Sequence, residues 1–228
     1  MSRLNEMRVW VEALHAPFPY FGGKSTVADK VWAALGTVKH YIEPFFGSGA
    51  VLLANPTPCD METVNDADGN IANVWRAIQF APDEVAKWCD WPVNHADLMA
   101  RKKFINERYP DLLAKLSADP KYFDAEIAGY WIWAASCWIG AGLSRPTQIP
   151  HVSDAGNGVH RTQRPQFTCN NGVHATTKGH VYDWMAALST RLRRVRVVCG
   201  DWSQVCGGNW QDKMGVCGMF FAPPYSDT

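Results

Sequence analysis

Residues 40–54 read His40-Tyr41-Ile42-Glu43-Pro44-Phe45-Phe46-Gly47-Ser48-Gly49-Ala50-Val51-Leu52-Leu53-Ala54. The first six residues are typical of a short strand, and the last four are helix-like. A strand, a turn with two glycines and a helix bring backbone close to a nucleoside ligand, because a Cβ at either glycine would block the approach. The stretch therefore predicts the first unit of an α/β sheet with a ligand at its carboxyl edge, although an ordinary turn explains the two glycines alone.

The segments on either side continue this alternation of strand and helix. The patterns predict helices over 27–35, 70–80 and 182–194, and strands over 62–65, 195–199 and 216–221. Residues 82–142 are mostly helical in pattern, and residues 130–139 are apolar on nearly every side, as in a buried helix. Residues 143–180 lack periodicity, which is typical of a functional or disordered segment. Strands that alternate with helices form a parallel sheet.

Asp66 follows the second predicted strand, about twenty residues beyond the glycines. At that offset an acid commonly binds ribose hydroxyls. The alternative is a turn or helix-cap residue, a role for which Asp68 competes. The loop lacks the third glycine of dinucleotide-binding sites, which disfavours a pyrophosphate ligand.

Composition sets outer bounds on the class of protein. The 228 residues suit one domain with an inserted subdomain, and the formal net charge of zero argues neither for nor against nucleic acid. No apolar run approaches the roughly 18 residues of a membrane span, and the N-terminus does not resemble a secretory signal. Seven cysteines without a CxxC pair disfavour a disulfide framework and suit a reducing cytosol. Cys169, His174 and His180 lack the second ligand pair of a zinc site.

The chain ends with an apolar segment that stops at Pro223-Pro224. Two prolines force an extended turn, which projects Tyr225 from the carboxyl edge of the sheet, where it could stack on a base. An ordinary strand end explains this segment equally well when it is taken alone.

Four segments occur in a characteristic order: Pro19-Tyr20-Phe21-Gly22-Gly23-Lys24, Tyr41 to Gly49, Asn65-Asp66-Ala67-Asp68 and Phe221-Ala222-Pro223-Pro224-Tyr225. Together they resemble the Dam-type (D12 class) DNA adenine methyltransferases, over about residues 17–225. The resemblance implies an α/β fold, with a Rossmann-like methyltransferase sheet flanked by helices. It places the S-adenosylmethionine-binding catalytic domain at 17–81 and 195–228, and a mainly helical target-recognition region at 82–194. Family members continue with further strands, so the last part of the sheet is expected to come from a second chain or from residues beyond Thr228.

The resemblance also implies a cofactor site. Lys24 would pair with the methionine carboxylate, Tyr20 would pack on the cofactor, and Asp66 would bind the ribose. The loop from Glu43 to Gly49 would surround the methionine, and Asp201 with Trp202 would lie beside the adenine. The full set is Tyr20, Phe21, Gly23, Lys24, Glu43, Pro44, Phe45, Gly47, Gly49, Asp66, Ala67, Asp201 and Trp202, with no metal ligands.

The implied substrate is double-stranded DNA with a flipped adenine, since the target atom is unreachable in a duplex. The catalytic segment is Ala222, Pro223, Pro224 and Tyr225. In the family, an Asp at the first position and the carbonyl of the first Pro accept hydrogen bonds from the adenine amino group. Ala222 removes one acceptor, so we expect a severely impaired or inactive catalyst.

Three explanations of Ala222 remain open: an engineered inactivation, a natural loss of activity, and an enzyme that uses another acid. Asp227 is a conceivable substitute but lies on the wrong side of the turn. A cytosine-N4 enzyme and a catalytically inert DNA- or cofactor-binding homologue are the alternatives to an adenine enzyme. The N-terminal Gly22-Gly23-Lys24 favours adenine.

DNA contacts are expected from basic residues. Residues 161–196 are rich in Arg, Lys and His, which suits phosphate contact, although 191–196 also fit a solvated helix face. The candidate DNA-binding residues are Arg145, Arg161, Arg164 and Lys178, of which Arg145 and Arg164 are the best candidates for reading bases. The resemblance implies the cytoplasm of a bacterial or phage-infected cell, in a phage, restriction-modification or solitary role.

Overall fold

The computed structural model describes residues 14–18, 20, 22–55, 57–92, 94–137, 143, 178–207 and 215–223. Within these ranges the chain forms one sheet of four parallel strands. They are β1 (His40–Glu43), β2 (Met61–Asp66), β3 (Val195–Cys199) and β4 (Cys217–Met219). The spatial order is β3-β2-β1-β4, so β1 and β2 are the central strands. The α/β fold class with a parallel sheet flanked by helices is thereby confirmed.

Eight helices are described along the chain. They are α1 (Ala28–Leu35), α2 (Ala50–Leu53), α3 (Gly69–Phe80), α4 (Pro82–Cys89), α5 (His95–Ala118), α6 (Ala125–Cys137), α7 (Lys178–Leu192) and α8 (Ser203–Cys206). Local capping sets several of their starts, since the Asp68 side chain accepts from Asn70 N at 2.8 Å and Asn94 accepts from Ala96 N at 2.8 Å. In the described part of the chain, none of these helices combines the length and apolar character needed to cross a bilayer.

The core lies between the sheet and α3, and it continues into the helical region. Every residue of β1 is buried, as expected for a central strand covered on both faces. Trp75 of α3 is fully buried and packs at 5.7 Å from Phe18 and 5.1 Å from Phe46, measured between ring centroids. α6 is buried along most of its length, as its apolar pattern predicts.

A buried arginine explains part of the unusual tryptophan content. The Arg101 guanidinium of α5 lies 4.2 Å from the ring centroid of Tyr130, 4.4 Å from that of Trp133 and 5.1 Å from that of Trp91. Its Nη1 donates to Trp88 O at 3.0 Å. Faces of aromatic rings attract a cation, so this cluster joins α4, α5 and α6.

The observed elements differ from the predicted ones mainly at their ends. β4 covers three residues rather than the predicted six, although Phe220 N still donates to Ile42 O at 3.0 Å. Pro223, further along the chain, has no N–H to contribute, so the pairing with β1 cannot continue through it.

Candidate functional site at the carboxyl edge of the sheet

The order of the strands reverses at β1, where open parallel sheets commonly form a ligand crevice. β1, β2 and β3 succeed one another in one direction, whereas β4 lies on the other side of β1. In open parallel sheets, ligands bind outside the carboxyl ends of the strands at such a reversal. Ile42 of β1 is level with Met219 of β4, so the segments that follow these two strands leave the sheet side by side.

The glycine loop, residues 44–49, connects β1 to α2 at this crevice. Gly47 has φ +48° and Gly49 has φ +64°, which are left-handed conformations that favour glycine. A Cβ on Gly47 would lie 2.6 Å from Cε1 of Tyr20, so the ring of Tyr20 covers this glycine directly. The indole of Trp75 donates to Gly47 O at 2.9 Å and fixes the loop from the core side.

The Asp66 carboxylate holds the loop from the end of β2. Its Oδ2 accepts from Gly47 N at 2.8 Å, and its Oδ1 accepts from Asp68 N at 3.0 Å. Burial raises the pKa of Asp66, and these two hydrogen bonds oppose the rise. A carboxylate has about four lone-pair sites, so the half-buried Asp66 retains acceptor capacity for a ligand. The tether to Gly47 is a role that sequence reasoning missed.

The N-terminal segment lies against the same loop. Gly23 N donates to Tyr20 O at 3.0 Å, and the Lys24 ammonium donates to Gly22 O at 2.6 Å. Burial raises the pKa of the Tyr20 hydroxyl, with further contributions from Asp66 and Asp68. The Tyr20 ring lies on Gly47, whose N–H donates to Asp66, so the tyrosine and this acid belong to one site.

Two aromatic side chains meet above the carboxyl edge. Trp202 follows β3 and Phe221 follows β4, which are the outermost of the four described strands. Three strand spacings of about 4.8 Å separate such positions in a sheet. The two ring centroids are nevertheless only 6.0 Å apart, in an edge-to-face arrangement, and both side chains are nearly half exposed. The segments after β3 and β4 therefore converge over the ends of β2 and β1, and Phe221 joins the candidate site.

The Asp201 carboxylate binds Ser203, the first residue of α8. It accepts from Ser203 N at 3.0 Å and from the Ser203 hydroxyl. These hydrogen bonds lower the pKa of Asp201. The residue is exposed, so it remains accessible to a ligand beside Trp202.

The Glu43 carboxyl supports the glycine loop from the interior. It is 3% exposed, and the Tyr41 hydroxyl donates to its Oε2 at 2.9 Å. Burial raises the pKa of Glu43 to about 8, and the charge of Asp66 adds to the rise. Hydrogen bonds from Tyr41 and from the Leu52 backbone oppose this rise. Glu43 is therefore mostly protonated at neutral pH and contributes no free anion to the crevice.

This carboxyl predicts a pH dependence of stability. Unfolded Glu43 loses its proton near its ordinary pKa of 4.5, whereas the folded protein retains the proton to about pH 8. The folded state binds more protons between these values, so the stability that Glu43 contributes is complete below 4.5 and is lost as pH rises through 8. Urea denaturation should show a decline over this range that is smaller in Glu43→Gln. An equal decline in both proteins would contradict the prediction.

The remaining predicted site residues are placed as follows. Ala222 is half-buried and Pro223 is exposed, and both follow β4 after Phe220 and Phe221. Pro44 is buried, Phe45 is half-buried and Ala67 is exposed. Six of the predicted site residues lie outside the described ranges: Phe21, Arg145, Arg161, Arg164, Pro224 and Tyr225. Cys169, disfavoured above as a zinc ligand, lies outside them as well.

The described basic residues near β3 lie at the opposite end of the sheet. Arg193 and Arg194 precede β3 and are exposed, whereas the glycine loop follows the carboxyl end of β1. Arg191 is buried in an ion pair with Glu62 and does not belong to a phosphate-binding or solvated face. Lys178 begins α7, and its side chain is outside the described set, as is His174.

Across the described ranges, no three His, Cys, Asp or Glu side chains are grouped to hold a metal ion.

Comparison with known proteins adds one finding. The family model of the D12 class N6 adenine-specific DNA methyltransferase matches residues 20–138, just over half of the chain. The matched region contains Tyr20, the glycine loop, Asp66 and the helices from α3 to α6. No curated protein matches the chain. The match favours adenine N6 over cytosine N4 as the target.

Proposed function

Because this chain belongs to the D12 class of N6 adenine-specific DNA methyltransferases, we propose that it binds S-adenosylmethionine at the carboxyl edge and acts on adenine in DNA, with catalysis severely weakened by Ala222. The observation that carries the proposal is the glycine loop at the point where the strand order reverses. The Asp66 carboxylate accepts a hydrogen bond from the loop backbone at Gly47 N, and a side chain at Gly47 would clash with Tyr20.

The chemical groups around the crevice fit the parts of this cofactor. Asp66 has acceptor sites for ribose hydroxyls, and Lys24 supplies a cation for the methionine carboxylate. Trp202 and Phe221 offer half-exposed aromatic surface to an adenine ring. The loop from Glu43 to Gly49 supplies close backbone rather than side chains, which suits the narrow methionine portion.

In the proposed reaction, the cofactor supplies an electrophilic methyl group on a sulfonium. The residues of this chain bind and orient the adenine amino group. The Pro223 carbonyl accepts a hydrogen bond from that amino group, and Tyr225 stacks on the flipped base. A carboxylate at position 222 would accept a second hydrogen bond and draw the developing positive charge, which the methyl group of Ala222 does not do.

The region from 82 to 194 is proposed to recognise the DNA target. In the described part, α4, α5 and α6 pack on one another and on α3, next to the catalytic fold. Arg145, Arg161, Arg164 and Lys178 are proposed to contact DNA in this region. The absence of a carboxylate at Ala222 also favours a second candidate, a homologue that binds cofactor and DNA without turnover.

Calorimetric titration with S-adenosylmethionine tests the proposal. The unmodified chain should bind, and Asp66→Ala should weaken binding by about tenfold or more, because hydrogen bonds to a charged group contribute roughly 1.5–3 kcal/mol. The matched control is Asp60→Ala, since Asp60 is an exposed acid that directly precedes the other end of the same strand. If the unmodified chain shows no binding, the proposed cofactor site is wrong.

A further inference from the structure

Asn65 occupies the next-to-last position of β2 and connects both neighbouring strands. Its side chain is buried, with 1% exposure. The amide Nδ2 donates to Pro44 O and to Gly200 O, each at 3.0 Å. Pro44 begins the segment that follows β1, and Gly200 begins the segment that follows β3. One amide group therefore fixes the two chain segments that leave the sheet on either side of β2.

The orientation of this amide follows from its partners. Both partners are carbonyl oxygens, which only the NH₂ end of an asparagine can bind. Within the described part of the chain, the buried Oδ1 atom has no hydrogen-bond partner. A buried acceptor without a partner lowers stability, so what the asparagine contributes here is the pair of hydrogen bonds from Nδ2.

The backbone around Asn65 joins the same two segments. Phe46 N donates to Asn65 O at 2.9 Å, and Gly200 N donates to Asp66 O at 3.3 Å. The glycine loop follows Pro44, and Trp202 follows Gly200 by two residues. The distance between the loop and Trp202 therefore depends on the positions that Asn65 imposes on Pro44 and Gly200.

We propose that Asn65 is a positioning residue that sets the width of the cofactor crevice. It does not contact the ligand, because it is buried, and it acts through the carbonyls of Pro44 and Gly200. It thereby places the loop that surrounds the methionine portion at a set distance from the Trp202 surface beside the adenine. This inference rests on the proposed function, since it assumes that the crevice binds S-adenosylmethionine.

The alternative is that Asn65 only stabilises the fold, and the chain offers a matched control in Asn73. Asn73 is also a fully buried asparagine. Its Nδ2 donates to Asp124 O at 2.8 Å, and its Oδ1 accepts from Asp124 N at 2.8 Å. It joins α3 to the start of α6 through these two hydrogen bonds, which involve neither the glycine loop nor the segment of Trp202.

The test compares Asn65→Ala, Asn65→Asp and Asn73→Ala in the full chain. Asn65→Asp keeps the shape but leaves at most one donor for the two carbonyls, and it serves if Asn65→Ala does not fold. Urea denaturation gives the stability of each variant, and calorimetry with S-adenosylmethionine gives its Kd at a temperature where it is folded. Both Asn65 variants should raise the Kd by about ten- to a hundredfold, as misplaced binding groups commonly do. Asn73→Ala should change the Kd by less than about twofold despite a similar loss of stability.

Each outcome decides between the two roles. Equal increases of Kd in Asn65→Ala and Asn73→Ala would assign Asn65 a structural role and overturn the inference. An unchanged Kd in Asn65→Asp would overturn it as well. Failure of the unmodified chain to bind would instead refute the proposed cofactor site, and with it this inference.

Discussion

Replacement of Ala222 by Asp is expected to raise the rate of adenine-N6 methylation by roughly 10²–10³-fold. The expected size is that of a single preorganised polar group directed at the charge that develops in a transition state, about 2.7–4 kcal/mol. Ala222 lies just beyond β4, after Phe220 and Phe221, and is half-buried, so a carboxylate there would be shielded in part from water. Partial shielding strengthens its interaction with the adenine amino group.

The structural setting for a carboxylate at position 222 is already present. β4 pairs with β1 through Ile42 and Met219, and Phe220 N continues this pairing to Ile42 O at 3.0 Å. The chain after β4 is therefore anchored beside the glycine loop without any contribution from the side chain at 222. Ala222→Asp should consequently restore chemistry while leaving the affinity for S-adenosylmethionine nearly unchanged.

The measurement is the content of N6-methyladenine in DNA from methylation-deficient cells that express either protein. Mass spectrometry gives the total, and methylome sequencing gives the target sequence. Ala222→Asn is the control for charge, because its amide oxygen accepts a hydrogen bond without a negative charge, and it should give an intermediate rate. Equal methylation by the unmodified chain and by Ala222→Asp would show that the acidic group is not the missing element.

The unit from His40 to Phe80 is predictable from sequence because its signals are local. An apolar strand, two glycines and an acid at a fixed offset all occur within about forty residues, and each has a direct steric or hydrogen-bonding cause. β1 and α3 consequently begin and end within two residues of the predicted positions.

The parts of the site that depend on distant residues are not predictable in this way. Asn65 reaches Gly200 over 135 residues, and Trp202 meets Phe221 although their strands are at opposite edges of the described sheet. Periodicity reports which face of an element is buried but not which residue lies opposite. Asp66 shows the same limit, because its offset predicts a ligand role and says nothing of its tether to Gly47.

Arg191 shows how this limit produces a wrong prediction. Its position in the arginine-rich stretch suggests contact with phosphate or a solvated helix face. The structure instead buries it against α2, where its two terminal nitrogens bind Glu62 at 2.6 Å and 2.8 Å. One of these nitrogens also donates to Leu52 O at 3.0 Å. The side chains of Arg191 and Glu62 are only 9% and 3% exposed.

Replacement of Glu62 by Leu is expected to lower the free energy of unfolding by about 3–5 kcal/mol, because it leaves the buried Arg191 without a counter-ion. Arg191→Met should be destabilising for the converse reason. The double variant should recover most of the loss, since two apolar side chains of similar volume replace a buried ion pair at little net cost. Urea denaturation of the four proteins gives the coupling free energy directly.

The ion pair between Lys115 and Asp111 on α5 is the matched control. Its nitrogen and oxygen are 2.7 Å apart, as close as those of the buried pair, but its side chains are 50% and 63% exposed. Asp111→Ala should therefore change stability by less than about 1 kcal/mol. Equal losses in Glu62→Leu and Asp111→Ala would contradict the prediction, because burial, rather than distance, is what distinguishes the two pairs.

The Glu62–Arg191 pair also joins β2 to the end of α7, which leads into β3. Its loss should therefore also increase the mobility of the chain at the start of β3 and, through β3, of the segment that carries Trp202.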